Sequence, residues 1–219
     1  MTTHGVDPAD LARLTENGPF LSVYVPSAEE WATVRPEVAE MGAPQSALDL
    51  VDFVVSNDDL PPDETLAVIT NADEVLMSQH LPEPLIYGRA SWAPIADLVP
   101  IIKARQELHP SVAVTDDDPV ALATAVAEDT VRLLEQFKRD RGRADLVADG
   151  IHATAEAITN GAVEVLLVRD DRNERHEVAR EDAAVVDALI RDAILTGATV
   201  RVVPVNGPVS EGVGALLRN

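Results

Sequence analysis

The stretch Val163-Glu-Val-Leu-Leu-Val168 decides the fold. Five of its six residues are apolar, with no alternation, and a strand that reads this way is covered on both faces. Working upstream, residues 144–159 place Val147, Ile151, Ala155 and Ile158 at helical spacing and stop at Asn160-Gly161, a left-handed cap. Residues 119–138 do the same with Leu122, Val126, Leu133, Leu134 and Phe137. Downstream, the charged stretch Arg169–Arg180 reads as a loop or a polar extension of the strand. A helix over 181–196 then buries Val185, Val186, Leu189, Ile190, Ala193 and Ile194, and Gly197 ends it. Strands are expected over Thr199–Val205 and Gly212–Leu217. Helices alternating with strands too apolar to face water predict a three-layer α/β/α sandwich.

The preceding half has a different texture. Twelve of the 15 prolines and six of the seven aromatic residues lie before residue 115. Phe20-Leu-Ser-Val-Tyr-Val-Pro26 and Thr65-Leu-Ala-Val-Ile-Thr70 read as strands, with a turn at Asn71-Ala-Asp73 and a third strand near 74–79. Leu85–Tyr87, beside Pro82 and Pro84, is an edge or connecting segment, and Ser111–Thr115 a short final strand. Helices are expected over 44–56, through Leu48, Val51, Val54 and Val55, and over 94–107, through Ile95, Leu98, Ile101 and Ile102. The expectation is therefore an α/β protein of two domains: an α+β domain over residues 1–117 and the sandwich over 118–219. Asp116-Asp-Asp-Pro119 marks the boundary, either as a linker or as a helix entry with Asp118 as N-cap.

Charge and composition narrow the function classes. The 219 residues carry 17 Lys+Arg against 38 Asp+Glu, a net −21, of which residues 1–115 contribute −13. Such a balance opposes broad contact with DNA, RNA or anionic lipid. No apolar run approaches the length of a membrane span, and no basic-then-apolar leader opens the chain, so a cytoplasmic setting is expected. With no cysteine, thiolate metal sites and cysteine nucleophiles are excluded. The five histidines are scattered without zinc-type spacing, and no two of the 11 glycines are adjacent, so no cofactor is expected. All but two of the basic residues are Arg, a bias of a GC-rich genome or of salt adaptation.

Few residues stand out as sites. Lys138-Arg-Asp-Arg-Gly-Arg143 sets Lys138, Arg139, Arg141 and Arg143 within six residues. They form a positive spot suited to RNA or a partner, or they complement the dipole of a helix C-terminus. Arg172 and Arg175, in the second charged stretch, are further candidate contacts, or simply solvated surface. Asp149 and His152 stand at helical i,i+3 spacing as a candidate acid–base pair, but no Gly-x-Ser-x-Gly elbow supplies a nucleophile, and Ser210 reads as a loop serine. Carboxylate pairs such as Asp58–Asp59 and Asp116–Asp118 have divalent-ion character that arises readily by chance among 38 acids. Trp92 reads as core, and Trp31 as either core or an exposed anchor. The chain is expected not to be an enzyme.

The ordered set Gly161-Ala-Val-Glu-Val-Leu-Leu-Val168, Gly197-Ala-Thr-Val-Arg-Val-Val203 and Gly212-Val-Gly-Ala-Leu-Leu-Arg218 resembles the C-terminal domain of archaeal and eukaryotic class-one release factors and Pelota. The whole chain is similar to the bacterial release-factor-like branch, whose members also begin with a segment like Phe20–Pro26. In true release factors a middle domain carries the Gly-Gly-Gln tripeptide that promotes peptidyl-tRNA hydrolysis. This sequence has no Gly-Gly-Gln, and no room for that domain between Thr115 and Pro119. The resemblance thus implies a non-catalytic translation factor that docks on the ribosome or a translational GTPase, in stalling, stress or dormancy. The rival expectation is a protein–protein module unconnected to the ribosome.

Overall fold

β1 (Phe20–Val25) is buried along its whole length, as a central strand must be. The computed structural model describes residues 13–14, 18–82, 88–108, 119–143, 145–170 and 180–218. β1 pairs antiparallel with β2 (Thr65–Thr70) on one side and β4 (Arg89–Ala93) on the other, and β3 (Val75–Leu81) extends the sheet beyond β2, giving the order β3-β2-β1-β4. The Asn71 turn forms as expected, its side-chain oxygen accepting from its own chain just ahead, as Asx turns do. The Asp73 and Glu74 N–H groups both donate to Asn71 Oδ1 at 2.8 Å.

Two helices, α1 (Ala28–Glu40) and α2 (Gln45–Ser56), cover one face of this sheet. Trp31, Val38, Leu48, Val51 and Val55 pack there against Leu21, Val23, Val25, Leu66 and Val68. α2 follows the sequence expectation, with Val54 half-buried. α1 does not: its weak apolar periodicity and internal Pro36 hide it. The signal that was available is Ser27, an N-cap residue ahead of Glu30 at capping-box spacing. Its Oγ accepts from the Glu30 N–H at 3.2 Å. Trp31 is core, 4% exposed, and Trp92 is half-buried against the same cluster.

The expected helix over 94–107 begins later, as α3 (Val99–Leu108). Residues 94–98 are held in another conformation by side chains of the sheet. Asp97 N–H donates to Ser22 Oγ at 3.1 Å, the Tyr24 hydroxyl donates to the Asp97 carbonyl, and the Asp97 carboxylate pairs with Arg89. The chain divides into two units between Asp97 and Leu98, ahead of the acidic stretch at 116–118. Leu85–Tyr87, Ser111–Thr115 and Asp116–Asp118 lie outside the described residues.

The second unit is an α/β sandwich. After α4 (Pro119–Asp140) come β5 (Val147–Asp149), α5 (Ile151–Thr159), β6 (Val163–Arg169), α6 (Arg180–Leu195), β7 (Thr199–Val203) and β8 (Val213–Leu217). The sheet order is β5-β8-β6-β7, with β6 and β7 parallel and β8 antiparallel to both of its neighbours. Phe137 of α4 packs with Val147, Leu167, Val203 and Leu216 on one face, where α3 lies against β7 and α4. Leu166, Val168 and Ala215 alternate to the other face, against which α5 and α6 pack. Leu189, Ile190 and Ala193 of α6 are buried as expected, whereas Val185 is 40% exposed. α5 and α6 stop at Gly161 and Gly197.

The helix expected over 144–159 is in fact two elements. Val147 and Ala148 pair with Leu216 and Ala215 as strand β5, and the helix starts only at Ile151. Gly150 between them takes φ 87°. That is left-handed backbone, which breaks the helical register and which a side chain would strain.

Candidate functional site

The basic stretch singled out from the sequence forms the end of α4 and the turn that leads to β5. The turn is tight: Arg143 N–H donates to the Asp140 carbonyl at 3.0 Å, and Leu146 and Val147 N–H both donate to the Arg143 carbonyl, at 2.9 and 3.0 Å. Lys138 and Arg139 are exposed in the last helical turn, where cations also complement the helix dipole. Arg139 and Arg143 each stand 3.8 Å from Asp140 Oδ1, with their side chains 69% and 61% exposed. Pairs that long and that exposed contribute little, which leaves both guanidinium groups open to an outside partner.

Arg141 behaves differently. Its Nη2 lies 2.6 Å from Asp149 Oδ2 and donates to Ser210 Oγ at 2.9 Å. Asp149 in turn accepts from the Ser210 N–H at 2.7 Å and from the Ser210 hydroxyl at 3.0 Å. The next residue, Glu211, accepts from the Ile151 N–H at 2.8 Å and so caps α5. Three segments that are distant in sequence are thereby tied at one corner. Ser210, which reads as a plain loop serine, is a member of the tie, and nothing in its local sequence signals it. His152 is exposed on α5 while the Asp149 carboxylate bonds Ser210 and Arg141, so that pair is not brought together. Arg172 and Arg175 lie outside the described residues.

The first unit carries two further polar clusters. Asp52 of α2 accepts from Trp31 Nε1 at 2.7 Å and from Arg35 Nε and Nη2 at 3.0 and 2.9 Å. Burial pushes the Asp52 carboxyl up, but the bonds from Arg35 and Trp31 together with the Arg35 charge outweigh it and hold the group below its ordinary value. The same hydrogen bond raises Arg35. The second cluster adjoins a cleft of about 410 Å³ lined by Val25, Ser27, Val55, Asp58, Asp59 and Leu66. Asp58, read from sequence as half of a carboxylate pair, bonds His80 instead.

No protein-family model matches the chain, and no curated protein matches it. Among solved structures it aligns with archaeal translation termination factor aRF1 at 13% identity over 99% of each chain, with a TM-score of 0.32. It aligns with Archaeoglobus fulgidus Pelota at 16% identity over 71% of this chain and 61% of that one, with a TM-score of 0.32. A chain from a model of ribosome-bound archaeal Pelota and ABCE1 aligns at 21% identity over 72% of this chain and 59% of its own length, with a TM-score of 0.34. The chain thus spans about three fifths of the Pelota chains it matches. Among the described residues, no helix is long and apolar enough to cross a membrane.

Proposed function

We propose that the chain is a non-catalytic translation factor of the bacterial release-factor-like branch, docking in the cytoplasm on the ribosome or on a translational GTPase. The contact surface is the basic turn, through Lys138, Arg139 and Arg143, with Arg172 and Arg175 as further contacts. The observation that carries the reading is the separation of roles within that turn. Three exposed cations project from a tight corner, while Arg141 ties the corner to Asp149 and Ser210. In a chain of net charge −21, a local cationic site on a fixed scaffold is what allows contact with a phosphate-rich or acidic surface. The resemblance of the segments from Gly161 to Arg218 to release-factor and Pelota C-terminal domains supports the choice of partner. The absence of Gly-Gly-Gln from the sequence supports a role without peptide release. Stalling, stress or dormancy is the condition in which such a factor acts.

Sucrose-gradient sedimentation of lysates from growing and stressed cells tests this. Co-sedimentation with ribosomes at low salt is expected, weakening as salt rises. The triple variant K138E/R139E/R143E abolishes it; unchanged binding clears the turn of any role. A second reading, a protein–protein module, draws on the net −13 of residues 1–115. A protein that stays in the soluble fractions under both conditions selects that reading.

A further inference from the structure

We propose that residues 57–64 form a strap over the cleft of the first unit, latched to the sheet by His80 at both ends only while its ring carries both protons. The cleft lies at the carboxyl end of β1, lined by the strap's Asp58, Asp59 and Leu60 together with Val25, Ser27 and Leu66. His80 stands on the edge strand β3, in register with Leu66 of β2. Its Nε2 lies 2.8 Å from Asp58 Oδ1, and its Nδ1 lies 2.9 Å from Glu64 Oε2. One ring therefore grips both ends of the strap. The three side chains are 28%, 21% and 30% exposed, so water competes only partly for these bonds.

The chemistry of the latch follows from counting donors. An ionised carboxylate only accepts, and a neutral imidazole has a single N–H. A neutral His80 bonds one end of the strap and turns a lone pair toward the carboxylate at the other. The doubly protonated ring donates to both. The latch is therefore complete with two protons on the ring and half-released with one.

Among the described residues, the ends of α2 and β2 next to His80 bring no further charge to it. The last turn of α2 before the strap is Phe53-Val-Val-Ser56, and β2 beneath His80 presents Thr65, Leu66 and Ala67, all uncharged. On α2 itself, Asp52 bonds Arg35 and Trp31, and Asp49 lies 4.0 Å from the same Arg35. The remaining charges nearby in sequence are Asp59 and Asp63, on the strap, and Glu83, which lies outside the described residues; like-charge repulsion among the strap's four acids favours release once the ring loses a proton. Within the strap, the Glu64 N–H donates to the Pro61 carbonyl at 3.1 Å, a turn closed on itself.

Two-dimensional amide NMR of the full chain from about pH 5 to 8, followed together with the His80 ring signals, tests the latch. The amides of residues 58–64 are expected to shift in step with the ring, and His80→Gln removes that dependence. Glu64→Gln, which leaves His80 and the Asp58 bond in place, reduces the strap's shifts by about half, because one of two ties is altered. Ring signals that titrate while the strap amides stay still overturn the proposal, as do strap shifts that are the same in His80→Gln. Should His80→Gln fail to fold, Glu64→Gln decides alone, and an undiminished strap response in it is equally fatal.

Discussion

Arg141 Nη2 lies 2.6 Å from Asp149 Oδ2, joining the turn after α4 to the last residue of β5. Because the same carboxylate also holds Ser210 at two points, removing it loosens three segments at once. Asp149→Ala is expected to destabilise the second unit by about 2 kcal/mol, since a part-buried N–H and a guanidinium both lose their acceptor. Arg141→Ala is milder, about 1 kcal/mol, and the exposed substitutions K138E, R139E and R143E stay within about 0.5 kcal/mol each. Urea unfolding of the five variants gives the ranking. Equal effects across the basic stretch would mean that Arg141 has no distinct role.

Gly214 on β8 faces Phe137 of α4. A Cβ built there would stand 2.7 Å from Phe137 Cζ and 2.8 Å from Cε2, in a core where Phe137 is fully buried. Gly214→Ala is therefore expected to cost about 1–3 kcal/mol by overpacking. Phe137→Ala costs about 3–5 kcal/mol by leaving a cavity. The double variant should be less destabilised than the sum, because the new methyl enters space the ring has vacated. Strict additivity in denaturant unfolding would argue against that contact.

Asp52 predicts the acid limb of the first unit's stability. Its folded-state value lies below the ordinary one. Its stabilising contribution is therefore present above the usual carboxylate range and is lost as pH falls through the folded value. The side chain is 40% exposed. Solvent screening at that exposure keeps the contribution to about 1 kcal/mol or less. Asp52→Asn should flatten that part of the profile of melting temperature against pH. Parallel profiles for the two proteins would dismiss the linkage.

Arg218 carries a structural load that its exposed position conceals. Nη1 donates to the Gly161 carbonyl at 2.9 Å, and Nη2 to the Thr196 and Gly197 carbonyls at 3.2 Å and 3.3 Å. One guanidinium thus closes the C-terminal ends of α5 and α6 together, where carbonyls lack partners within the helix. Arg218→Ala is expected to lower stability by about 1 kcal/mol. Faster amide exchange at 196–198 and 161–162 would mark the loss, whereas uniform protection across the unit would show that the clamp is idle.

What the sequence disclosed follows the range of the forces involved. α2, β2, β6 and β8 were legible because burial alone sets their patterns: helical spacing in Leu48, Val51 and Val55, and near-continuous apolar runs in the strands. The span 147–158 misled because Val147, Ile151, Ala155 and Ile158 fit a helix, while the pairing of Val147 with Leu216 is set by a strand far along the chain. α1 hid behind Pro36 and its acidic surface. At the candidate site, the cluster of cations was visible, but not that Arg141, though exposed, is tied to Asp149 and Ser210. The two contacts that make His80 a bridge were likewise out of reach. Asp58 and Glu64 belong to the connection ahead of β2, and they meet His80 only through the β2–β3 pairing.

The order β5-β8-β6-β7 places Val213–Leu217 in the middle of its sheet although it is the last of these strands to be synthesised. During translation β6 and β7 are made with one edge of β6 bare, and β5 still waits for β8. The sheet therefore closes only once synthesis has passed Leu217, however early the first unit forms. Until then the nascent chain exposes an apolar β6 edge of the kind that recruits chaperones or pairs with a neighbour. A nonsense mutation just ahead of Val213 would accordingly act as a defect of the whole unit, not as the trimming of a tail.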